Sequence, residues 1–85
     1  MNPRTIIEKT FTEMLQEAGA AVPACFADDL VLLQSGLDSL GFAVLITRLE
    51  SECGYDPFTL MTVPCYPRTF GELVAVYDRF KAHAA

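Results

Sequence analysis

Ser39 stands in the stretch Ser35-Gly36-Leu37-Asp38-Ser39-Leu40, beside a carboxylate, at what reads as the junction of a loop and a helix. A serine next to an aspartate invites a nucleophilic reading, with His83, the single histidine, as its base. The spacing opposes this. A nucleophile elbow needs glycine two positions before the serine, but Leu37 is there and Gly36 lies one further back. His83 falls in the last residues of the chain, where a helix frays, and a short helical chain offers no strands to hold an oxyanion hole. The alternative chemistry is covalent attachment. Unpaired N–H groups and the macrodipole at a helix start favour an anion, so a phosphodiester on the Ser39 hydroxyl would sit in a favourable field. Gly36 leaves space for a modifying enzyme, Asp38 fixes where the helix begins, and Leu37 and Leu40 bracket the site. Leu40 is either an exposed apolar anchor or a core residue.

The elements that must position this serine come from a chain of 85 residues, long enough for one domain with one modest core. Hydrophobic residues at 52% and charged residues at 20% argue for a folded chain. A net charge of -5 without a basic patch is repelled by phosphate backbones, which excludes nucleic acid as the expected partner. No apolar run approaches the roughly 18 residues of a membrane span, and the charged amphipathic start does not read as a signal core. A soluble, cytoplasmic monomer is expected. Cys25, Cys53 and Cys65 are odd in number with no close pair, which fits neither a disulfide framework nor a zinc site, so they read as reduced and structural.

Ile7, Phe11, Met14, Leu15 and Ala18 share one stripe of a first helix. It starts either at Asn2 with Pro3 or at Thr5 with Glu8 as a capping box, and Gly19 ends it. Residues 20–37 have no sustained period; so long a connection is functional or hides a helical turn, and Leu30 to Leu33 read as tucked under the helices, with a strand as the alternative. A second helix follows over Asp38 to Cys53, capped by Asp38, with Ser39 in its first turn. Phe42, Leu45, Ile46, Leu49 and Cys53 face its core side, Arg48, Glu50 and Glu52 face water, and Gly54 closes it. Asp56-Pro57 opens a short third helix through Phe58, Leu60 and Met61, of about two turns. Thr69 to Glu72 form a capping box for the last helix, whose core face is Leu73, Val74, Tyr77 and Phe80. The expected architecture is all-α, a four-helix bundle of three main helices and a short third one, with a long first loop.

Gly36-Leu37-Asp38-Ser39-Leu40 at the start of the second of these helices resembles an acyl or peptidyl carrier protein, the stretch from Tyr55-Asp56-Pro57-Phe58 through Tyr66-Pro67-Arg68-Thr69-Phe70 resembles the small stand-alone bacterial type, and the resemblance covers nearly the whole chain. It implies an acyl-carrier-protein-like fold. It further implies a covalent 4'-phosphopantetheine on Ser39, taken from coenzyme A by a magnesium-dependent phosphopantetheinyl transferase, with Asp38, Gly36 and Leu40 around it. The chain would be a non-catalytic carrier holding an acyl or aminoacyl group as a thioester, where tethering raises the effective concentration at each partner. An adenylating ligase or acyltransferase would load it, and a downstream synthase or transferase would unload it.

One departure from the fatty-acid pattern bears on the partners. Carriers of that pathway present acidic residues along the second helix, but here Gly41 and Val44 hold those places, Arg48 is added, and no acidic residue occurs from Gly41 to Leu49. Complementary charge governs encounter, so this face suits enzymes not built for an acidic helix. Leu37, Leu40, Ala43, Val44, Thr47, Arg48 and Met61 are the expected partner surface, and Met61 and Val63 either line a space for cargo or pack in the core. The expected role is in a specialised nonribosomal peptide, polyketide or modified-lipid pathway; a fatty-acid synthesis carrier and an unmodified helical interaction module are the alternatives.

Overall fold

Asparagine followed by proline starts the first helix: the Asn2 side chain accepts from the Thr5 N–H at 2.9 Å, and the ring of Pro3 takes a position that needs no N–H. The competing start at Thr5 loses, and Glu8 instead accepts from Arg4 one turn back. The structure, a computed structural model, describes residues 2–34, 38–60 and 67–81. Among these, α1 spans Pro3–Glu17, a 3-10 turn Leu32–Gln34, α2 Ser39–Cys53, α3 Pro57–Leu60 and α4 Phe70–Arg79. The described chain is all-α, with a single antiparallel bridge, Val31 to Thr69, in place of any strand. No described helix is long and apolar enough to cross a membrane.

The helical stripes become one core. Ile7, Phe11, Met14 and Leu15 of α1 meet Leu45 and Leu49 of α2 and Phe70, Leu73 and Tyr77 of α4, all buried. Ala18, expected on the α1 stripe, is exposed because the helix ends at Glu17 and Gly19 turns the chain away with φ 71°. Phe42, Ile46, Cys53, Val74 and Phe80 pack against this core half-buried. Cys25, expected to be structural, is exposed in the loop, while Cys53 is half-buried. Desolvation raises the Cys53 thiol above its ordinary value.

The first loop is held by residues distant in sequence. Phe26 inserts between Phe11, edge-on at 5.3 Å, and Phe70, stacked at 5.1 Å. Arg4 reaches across to the Phe26 carbonyl and the Asp28 carboxylate, each at 2.8 Å. Further on, Leu32 donates to the Arg68 carbonyl at 3.0 Å and Phe70 donates to the Leu30 carbonyl at 2.8 Å, which ties the approach to α4 against the approach to α2. The hidden helical turn is present at Leu32–Gln34, with Leu32 buried but Leu33 exposed instead of tucked under the helices.

Candidate functional site

Ser39 is exposed in the first turn of α2, and two hydrogen bonds fix that turn. Asp38 Oδ1 accepts the Gly41 N–H at 2.7 Å, and the Asp38 carbonyl accepts the Phe42 N–H at 2.8 Å. The N–H groups of Ser39 and Leu40 precede the first intrahelical bonds, and N–H groups at a helix start suit an anion. At the far end Gly54 closes α2 with φ 86°, its N–H donating to the Glu50 carbonyl. The helix is therefore bounded where the sequence pattern places it.

Two depressions lie at the start of α2. One, of roughly 170 Å³, is lined by Leu32, Leu33, Ser39, Phe42 and Pro67. The other is a wider, open groove between α1 and α2, lined among others by Met14, Ala18, Asp38, Leu40 and Val44. Leu40 is 74% exposed, which decides between anchor and core in favour of an exposed apolar side chain. Gly36 and Leu37 lie outside the described residues, as do Met61, Val63, Cys65 and His83.

Of the expected partner surface, Leu40, Ala43, Val44 and Thr47 share an exposed side of α2. The Thr47 hydroxyl donates to the Ala43 carbonyl at 3.0 Å, so it turns back onto its own helix. Arg48 differs from a residue facing open water. Its two terminal nitrogens meet the two carboxylate oxygens of Glu17 at 2.9 and 2.7 Å, and the pair closes the α1 side of the wider groove. This hydrogen bonding to Arg48 lowers the Glu17 pKa and raises that of the guanidinium.

Sequence reasoning missed the smaller depression, because it assigned Phe42 and Leu33 to the core. Phe42 falls three residues after Ser39, hence on the same helical side, and that spacing is the signal that could have found it. A larger open cleft, of roughly 630 Å³, lies away from the serine between α1 and the first loop. Its most prominent cation, Arg4, is already engaged by Glu8, Asp28 and the Phe26 carbonyl. Among the described residues no cluster of three or more histidine, cysteine or carboxylate side chains could hold a metal ion. No family model, curated protein or solved structure matches the chain.

Proposed function

We propose that this chain is an acyl or aminoacyl carrier with an acyl-carrier-protein-like bundle, modified on Ser39 by 4'-phosphopantetheine. The observation that carries the reading is an exposed serine in the capped first turn of α2, preceded by Gly36-Leu37-Asp38 and followed by an exposed Leu40. In the modification, Ser39 Oγ bonds to the pantetheine-side phosphorus of the coenzyme A pyrophosphate. The P–O bond to 3',5'-ADP breaks, and the hydroxyl proton passes to a base of the phosphopantetheinyl transferase. When bound, the group supplies a terminal thiol that can hold a substrate as a thioester. The chain's own residues would hold and orient it: Asp38 sets the helix start, the first-turn N–H groups would stabilise the negative charge of the phosphodiester, and Leu40 would offer partners an apolar anchor.

The partner class follows from the α2 surface. No acidic residue lies between Gly41 and Leu49, and the one cation there, Arg48, is paired within the chain by Glu17. From Ser39 to Leu49 α2 presents a nearly uncharged face, with Leu40 and Val44 exposed, and its carboxylates Glu50 and Glu52 come only in the last turn. This supports a specialised pathway with an adenylating ligase or acyltransferase as loading enzyme and a synthase or transferase downstream, against a fatty-acid carrier whose enzymes receive an acidic helix. Intact mass after incubation with coenzyme A and a transferase tests the reading. A phosphopantetheine gain on wild type that disappears in Ser39→Ala is expected; no gain favours an unmodified interaction module, and the same gain in the variant defeats the carrier reading at Ser39. Loading of the modified chain by an acyl-AMP ligase, compared with a malonyl transferase, then separates the two carrier roles.

A further inference from the structure

The approach to α4 carries a cation that the fold holds in place through its main chain alone. The Arg68 carbonyl accepts the Leu32 N–H at 3.0 Å and the Arg68 N–H donates to Glu72 Oε2 at 2.9 Å, so its backbone is fixed against the 3-10 turn on one side and α4 on the other. The residue is exposed, and among the described residues its guanidinium has no ion pair and no hydrogen bond. The other arginines differ. Arg4 and Arg48 are held by carboxylates, and Arg79 lies over the Phe80 ring, 5.0 Å from its centroid. Pro67, the residue before Arg68, lines the same depression as Ser39, and Leu33, which also lines it, is 57% exposed. One stretch of surface at the entry to α2 thus brings together a serine, an exposed aliphatic side chain and an unpaired guanidinium.

We infer that Leu33 and Arg68 form a second docking face beside Ser39, fitted to an enzyme surface that carries a carboxylate next to an apolar side chain. The inference rests on the carrier reading, which supplies the enzyme, and adds a face that α2 does not contain. A planar guanidinium presents parallel N–H donors that match the two oxygens of a carboxylate. Because the Arg68 backbone is already fixed, only its side chain has to be ordered on binding. A lysine-rich surface meets a like charge here, so the face also selects against such partners. The net charge of -5 opposes an acidic partner from afar, but that field is screened beyond about 8 Å at physiological salt, and a pair in contact is not.

The test uses the full, unmodified chain, titrated in NMR with two capped helical peptides, one built of leucine, alanine and glutamate and the other with lysine in place of glutamate. The glutamate peptide is expected to shift the Arg68 Nε–H and the Leu33 methyls, and to do so less at high salt. Arg68→Gln keeps both main-chain bonds and should weaken this binding by about tenfold, the loss of one charge-assisted pair. The lysine peptide should leave both residues unmoved. A glutamate peptide that moves neither residue, equal binding by Arg68→Gln, or a lysine peptide that shifts them as much overturns the face. No group is attached to Ser39 in this titration, so its failure leaves the carrier reading standing, and that reading falls separately if the chain gains no mass on Ser39.

Discussion

Arg48 on α2 and Glu17 at the end of α1 meet side by side, two guanidinium nitrogens against two carboxylate oxygens at 2.9 and 2.7 Å. The pair spans α1 and α2, the two described helices that pack most extensively on each other, next to the exposed face of α2.

The pair makes stability depend on acid pH. The hydrogen bond from Arg48 holds the Glu17 carboxyl below its ordinary value, so the contribution is complete above that value, about 4.3, and is lost as pH falls through the lower folded value. Urea midpoints of wild type should fall more steeply between about pH 5 and pH 3 than those of Arg48→Met. Both partners are partly exposed, so added salt narrows the difference. Parallel curves would show that the pair contributes nothing.

Asp38 acts on α2 through its side-chain oxygen, which asparagine also possesses. Asp38→Ala should lower stability by about 1 kcal/mol and Asp38→Asn by much less, because both aspartate and asparagine cap well. Equal losses in urea unfolding would show that the charge, and not the cap to the Gly41 N–H, holds the helix start.

Gly71 is required by close approach. Its N–H donates to the Asp28 carbonyl at 2.9 Å, and a methyl on its Cα would fall 2.8 Å from Asp28 Cβ and 3.0 Å from that carbonyl. Gly71→Ala must push the first loop off α4, at about 1–3 kcal/mol, with each kcal/mol lowering Tm by roughly 4–8 °C in a domain of this size. An unchanged Tm would mean that the Asp28 backbone yields freely.

Tyr77 is fully buried and its hydroxyl has no hydrogen-bond partner among the described residues. Burial raises its phenol far above the ordinary value. The neutral form belongs to the folded state, so its contribution is complete below about pH 10 and is lost as pH rises beyond that, where the unfolded chain ionises. The phenolate absorbance of Tyr77, taken as wild type minus Tyr77→Phe, should appear only as the protein unfolds. Tyr77→Phe also removes an unpartnered hydroxyl that costs about 1–3 kcal/mol, and it should unfold at higher urea than wild type. Ionisation ahead of unfolding would sink this account.

Local chemistry made much of the fold legible. Asp38 and Gly54 bound α2 because a cap and a left-handed terminator are written in single residues. The last helix was readable for the same reason, with one difference: the Thr69 hydroxyl accepts the Glu72 N–H, but Glu72 returns to the Arg68 N–H instead of closing on Thr69. The first loop was opaque because its order comes from residues distant in sequence, with Phe26 seated between Phe11 and Phe70 and Arg4 holding its backbone. At the site, Ser39, Asp38 and Leu40 could be read from type and spacing. The depression beside them could not, since it needs Pro67 from the other half of the chain.

The bridge between Val31 and Thr69 joins the segment entering α2 to the segment entering α4. Two stretches that a linear reading places in separate halves of the molecule are thus bonded side by side. A fragment carrying Ser39 but ending before Arg68 would keep the α2 sequence and lose the partner that sets its approach, so the serine's mounting is a property of the whole chain and not of a transplantable motif.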